Sequence, residues 1–229
     1  MATYDLEEQE QIAEIKAWWK QYGARLVNTA TVVVLIVLAW QGWNWYQRSQ
    51  AAQASAIYGA LQKAVEDGDT QQIKAASGEL LEKFNGTPYA VLGALTSAKA
   101  MIEAGDAPTA KAQLLWAAEH AKDELRDLAR LRAAAVLLDD KAYEQALAQL
   151  EGARGAAFDI RFQDMRGDIL AAQGKKPEAV SAYQTALTRL DELEKSGKSG
   201  GAGLEWQGES NAVLRELIGQ KVDALGGGQ

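Results

Sequence analysis

The sequence predicts an all-α protein in which a single membrane-spanning helix near the N-terminus is followed by a solenoid of stacked helical hairpins. Three observations predict it. A run of 22 residues, Leu26 to Gln47, carries no charged side chain. Beyond Arg48 the chain is rich in Ala, Leu, Gln, Glu and Lys and poor in β-branched residues, which favours helix. In this Ala-rich region a pattern of small and large apolar positions recurs three times, at offsets of 36 and 33 residues.

The elements follow in order. Residues 1–25 read as a cytoplasmic amphipathic tail: Asp5 and Glu8 have capping-box spacing, and Ile12, Ile15, Trp19 and Tyr22 recur at helical intervals. Residues 26–47 read as a transmembrane anchor. As a helix the run covers roughly 33 Å, close to the hydrocarbon thickness of a bilayer. Trp18, Trp19 and Tyr22 precede it and Trp40, Trp43, Trp45 and Tyr46 close it, as aromatic belts at the two interfaces would. The small residues Ala54-Ser55-Ala56 lie too far beyond the apolar centre for signal cleavage, so an uncleaved signal-anchor is expected. Lys16, Lys20 and Arg25 before the span outnumber Arg48 and Lys63 after it. Positive-inside counting therefore puts the N-terminus in the cytoplasm and sends the C-terminal domain across the membrane, which for a bacterial cell means an inner-membrane anchor and a periplasmic domain, with the lipid bilayer as first partner.

Residues 48–195 carry the repeats. The first unit has Ala98, Met101, Ala110, Leu114 and Ala117; the second Ala134, Leu137, Ala146, Leu150 and Ala153; the third Gly167, Leu170, Ala179, Tyr183 and Ala186. The offsets bracket the 34-residue tetratricopeptide period. Small residues let two antiparallel helices approach, and the large apolar ones fill the seam. Turn signals separate the helices at Gly68-Asp69, Asn85 to Pro88, Gly105 to Pro108, Asp139 to Lys141 and Gly174 to Pro177, with Pro108 and Pro177 in first helical turns. Ser55 to Phe84 reads as a divergent leading pair, because Ser77 falls where a large apolar residue is expected. Residues 196–203 are a flexible linker by composition. Residues 204–229 hold a capping helix near Glu209 to Leu225, with Val213, Leu214, Leu217 and Val222 as its apolar face, and a disordered tail from Gly226.

Composition narrows the chemistry. A net charge of −7 with pI near 4.9 disfavours nucleic acid. With no Cys and one His there is no thiol nucleophile, no zinc-thiolate site and no imidazole-rich metal centre. His120 reads as a solvated surface residue. The glycines at 197 to 203 lack the strand and helix of a phosphate loop, and Asp139-Asp140 sits in a turn without a cleft. The expectation is a non-enzymatic interaction protein with no cofactor, no metal and no small-molecule substrate. Its partner-binding groove is expected on first-helix positions outside the small-residue pattern: Leu95, Lys99 and Ile102; Leu131, Ala135 and Leu138; and Arg161, Asp164 and Asp168, with a place in the core the equal alternative for Leu95, Leu131 and Leu138. Such a groove would suit an extended segment or partner helix with apolar anchors and one charged end.

One stretch carries a family resemblance. Leu131 to Leu187, notably Met165-Arg166-Gly167-Asp168-Ile169-Leu170-Ala171-Ala172-Gln173-Gly174-Lys175 and Ala179-Val180-Ser181-Ala182-Tyr183, resembles the YfgM-like family, tetratricopeptide ancillary subunits of the bacterial Sec translocon. The order of acidic tail, anchor and repeats extends the resemblance over nearly the whole chain, while the linker at 196–203 departs from it. The resemblance implies association with SecYEG and with a PpiD-like anchored periplasmic chaperone, and a role in passing exported proteins to periplasmic chaperones. A repeat scaffold for cell-envelope or outer-membrane protein assembly is the alternative the same architecture allows.

Overall fold

The computed structural model describes residues 2–152, 156–195 and 211–227, and all regular structure among them is α-helical. Two compact units divide the chain, Met1–Ala52 and Gln53–Gln229. The first helix, α1 (Ala2–Glu66), begins in the first unit and ends in the second. No proline interrupts residues 2–25 and their one glycine, Gly23, is covered by the Trp19 ring, so the helix already runs at Asp5. Asp5 is thus inside the helix rather than its N-cap, which differs from the capping-box expectation.

In the first unit the apolar stretch is exposed. Val32 to Leu38 are 50–63% exposed and Trp40, Trp43 and Trp45 are 61–73% exposed. This is one helix long and apolar enough to cross a membrane, with a mean hydropathy of 1.8 over its most apolar window. Thr31 donates its hydroxyl to the Val27 carbonyl at 2.8 Å, which satisfies the hydroxyl within the helix.

The second unit is a row of antiparallel hairpins. The end of α1 shares a core with α2 (Thr70–Lys83) through Leu61, Ala64, Ile73 and Leu80, while α3 (Pro88–Glu103) pairs with α4 (Ala107–His120), α5 (Asp123–Asp139) with α6 (Tyr143–Gln149), and α7 (Ala156–Ala172) with α8 (Lys176–Lys195). A final helix, α9 (Asn211–Ala224), packs on α8. Eight of the nine small signature positions are buried: Ala98, Ala110, Ala117, Ala134, Ala146, Ala179 and Ala186 at 0% exposure, and Gly167 likewise covered. Ala153 lies outside the described residues, as does the linker at 196–203.

Four hairpin turns share one geometry. The first helix of each pair ends with a residue in the left-handed region, Gly68 (φ 68), Gly105 (φ 80), Lys141 (φ 60) and Gly174 (φ 78). The next amide then reaches back five residues: Asp69 N to Ala64 O at 2.9 Å, Asp106 N to Met101 O at 2.8 Å, Ala142 N to Leu137 O at 2.8 Å, and Lys175 N to Leu170 O at 2.9 Å. This capping favours glycine, which has no Cβ to crowd the following carbonyl. Lys141 is the exception, so Lys141→Gly is expected to raise the thermal midpoint, with a gain of about 1 kcal/mol. A lower midpoint would show that the Lys141 side chain matters more than its backbone.

Two differences from the sequence reading have physical causes. Ser77, fully buried, donates to the Lys74 carbonyl at 3.2 Å and accepts from the Gln113 amide at 3.0 Å, so a polar contact between α2 and α4 takes the place of the expected large apolar residue. In α9 the buried stripe is Leu214, Ile218 and Val222, whereas Val213 and Leu217 are 48% and 44% exposed. The i, i+4, i+8 spacing follows the 3.6-residue helical turn more closely than the expected set.

Candidate partner-binding groove

The first helices of successive hairpins, the end of α1, then α3 and α5, line two adjoining depressions. One, of 410 Å³, is floored by Leu92, Leu95, Leu125 and Leu128 and edged by Tyr58 and Gln62. The other, of 360 Å³, lies between Ile102, Leu114, Ala135 and Val136, with Asp139 at its edge. Lys99, Glu103 and Arg132 border both, so the two form one apolar channel with charged walls. Lys99 stands well into solvent and pairs loosely with Glu103 at 3.9 Å. Arg132 is half-buried, and burial pulls its guanidinium below the usual arginine range.

The structure sorts the nine predicted groove residues into three groups. Leu95, Lys99, Ile102 and Ala135 meet at this channel, Leu95 as its 5% exposed floor and Ile102 at 50% exposure on its wall. Leu131, 8% exposed, and half-buried Leu138 pack instead into the core with Leu137, Phe158 and Phe162. Arg161, Asp164 and Asp168 stand on α7, apart from the channel. Residues the sequence reading missed are Tyr58, Gln62, Leu92, Leu125, Leu128 and Arg132. Leu92 and Leu128 lie seven residues before Lys99 and Ala135, so carrying the same stripe two turns back finds them. Tyr58 and Gln62 sit in the divergent leading pair, where no repeat register marks them.

The acidic end is already engaged. Lys221 of α9 places its Nζ 2.7 Å from Asp164 Oδ1 and 2.8 Å from Asp168 Oδ1, and 5.5 Å from the centre of the Tyr183 ring. The Tyr183 hydroxyl donates to Asp168 Oδ1 at 2.7 Å. Burial pushes the Asp164 carboxyl above the ordinary carboxylate range, a rise that Lys221 restrains. Burial also raises the Tyr183 phenol, helped by its bond to Asp168. For Lys221 burial pulls downward, but the two aspartates prevail and its pKa is raised. Further out, Arg215 of α9 bonds Asp191 at 2.5 Å and Glu194 at 2.9 Å.

His120 stacks on Trp116, ring centres 4.2 Å apart, with its Nδ1 2.9 Å from the Trp116 carbonyl oxygen, a local contact at the end of α4. Among the described residues no group of three His, Asp or Glu could hold a metal ion.

Comparison with known proteins places this geometry in context. The tetratricopeptide repeat-like domain family matches residues 16–200. A protein of Haemophilus influenzae named "Ancillary SecYEG translocon subunit" is 32% identical over 193 residues, 84% of this chain and 94% of its own. One of the same name from Neisseria gonorrhoeae is 28% identical over 225 residues, 96% of this chain and 98% of its own. The solved structure of MamA 41-end from Desulfovibrio magneticus RS-1 aligns at a TM-score of 0.47 with 16% identity, over 75% of this chain and 92% of that one.

Proposed function

The chain is a YfgM-like member of the tetratricopeptide repeat-like domain family, and on that premise we propose that it is an ancillary subunit of the bacterial Sec translocon, anchored in the inner membrane by α1. The observation that carries the reading is the match to the Neisseria gonorrhoeae subunit, which at 96% of this chain takes in both anchor and repeats. The N-terminus faces the cytoplasm and the repeats the periplasm, supported by the basic residues Lys16, Lys20 and Arg25 ahead of the span. The protein works without catalysis or cofactor. It holds an emerging chain near a PpiD-like anchored chaperone, and the apolar channel with exposed Lys99 on its wall takes an extended or helical segment through apolar anchors and a carboxylate.

Crosslinking in intact membranes, with identification of the attached chains, tests this. The parent protein is expected to yield adducts with SecYEG and with an anchored chaperone. The double variant Lys99→Glu with Ile102→Asp changes two exposed wall residues, so the fold is kept and most chaperone adducts are lost. Adducts only with outer-membrane assembly proteins would overturn the translocon assignment, and undiminished chaperone adducts in the variant would overturn the channel.

A further inference from the structure

We propose that the end of the solenoid formed by α7 and α8 is a binding site for a basic amphipathic helix of another protein, and that α9 is its tethered, displaceable occupant. The site combines an apolar surface with acidic groups at two points. Its apolar surface is Ile160, Tyr183, Ala186 and Leu190, all buried together with Leu214, Ile218 and Val222 of α9. Asp164 and Asp168 lie at one end of it, Asp191 and Glu194 at the other. Four acidic side chains thus meet two bases, Arg215 and Lys221, one and seven residues after the first apolar anchor Leu214. With α9 in place Asp164 is only 8% exposed, so an occupant helix lacking a cation there would cover a desolvated carboxylate beside a second one. Charge complementarity therefore specifies the ligand: apolar residues at i, i+4 and i+8, with Arg or Lys at i+1 and i+7.

The occupant in place is held modestly. Three aliphatic side chains of α9 are buried, while Val213 and Leu217 stay exposed at 48% and 44%. Short turns join the paired helices of the repeats, but fifteen residues separate Lys195 from Asn211, and six of the eight from Ser196 to Gly203 are Gly or Ser. A tether of that length spans at most about 50 Å. A helix that binds the site better than α9 does can displace it, and α9 sets the threshold that such a ligand has to pass. This inference does not depend on which membrane complex the protein serves.

The probe is a dye-labelled peptide of the α9 sequence, Asn211 to Leu225, titrated by fluorescence anisotropy against the full chain in detergent. The parent is expected to bind it weakly, because its own α9 competes. Full chains carrying Lys221→Glu, or the milder exposed change Arg215→Glu, loosen the tethered helix and should bind the peptide about tenfold more tightly. A peptide with Lys221→Met should lose about thirtyfold or more on the same chains. The Asp168→Lys chain should reverse the preference, taking a Lys221→Glu peptide over the native one. The proposal is overturned if neither loosened chain binds the native peptide more tightly than the parent, or if the methionine peptide binds equally well.

Discussion

Replacing Gly167 with alanine is expected to lower the stability of the repeat unit by about 3 kcal/mol, read as a drop in the urea midpoint at unchanged slope. A Cβ at position 167 would fall 2.5 Å from Cδ1 and 2.7 Å from Cζ of Tyr183, and closer still to Cε1. The ring cannot step back freely. Its hydroxyl is held by Asp168 at 2.7 Å, and the Lys221 ammonium lies 5.5 Å from its centre. One methyl group thus strains the α7–α8 seam and the site that holds α9 together. Gly78→Ala is the control, since a Cβ there meets nothing within 4 Å and α2 should gain about 0.5–1 kcal/mol in helix propensity. Equal midpoints for the two variants would sink the idea that position 167 is small because of Tyr183.

Lys221→Met should cost about 2–3 kcal/mol near neutral pH, because it strands the carboxylates of Asp164 and Asp168 against an apolar surface. The Lys221 side chain keeps 26% exposure, which places the effect below that of a fully buried pair. The pH dependence follows from two raised pKa values. The raised Lys221 pKa means that its contribution is fully present below the ordinary lysine value of 10.5 and fades as pH climbs through the folded-state value. Asp164 is also raised, by burial, so folding disfavours its ionised form and a proton relieves it in acid. Without Lys221 the larger restraint on that shift is gone and only the weaker pull of Arg161 remains. The gap between parent and variant should therefore be widest near neutrality, narrowing as pH falls into the carboxylate range and again above the lysine range. Urea midpoints of both proteins near pH 7 and near pH 4 check this; a gap that widened in acid would show that the ammonium is not compensating buried carboxylate charge.

Much of this was legible from residue order. The recurrence of Ala98, Ala134 and Gly167 with their partners located the hairpins, because a seam between two close helices tolerates only small side chains. The described signature residues are buried as that argument requires. The hairpin turns were legible through Gly68, Gly105 and Gly174, whose freedom at positive φ ends a helix. Lys141 occupies the same conformation without that signal, and only the backbone geometry reveals it. The groove was half legible. Lys99, Ile102 and Ala135 follow from helical periodicity, which says which positions share a face of one helix. It does not say which neighbouring helix covers that face, so Leu131 read equally as groove or core, and it packs in the core.

Asp164 and Asp168 mark the boundary most clearly. Local sequence makes them acidic residues on an exposed-looking stripe of α7, with Arg161 as a nearby base that lowers the Asp164 pKa only as a lesser influence than Lys221. Lys221 arrives from more than fifty residues away, at 2.7 and 2.8 Å. Helix, anchor and repeat are written in spacings of one to four residues and in composition, because backbone hydrogen bonding, bilayer thickness and close packing act at short range or on bulk polarity. Which faces stay open depends on contacts between segments distant in the chain, and there only the packed tertiary structure, which chooses among many apolar and charged partners of similar energy, decided that one end of the solenoid is filled and the α1–α3–α5 channel is not.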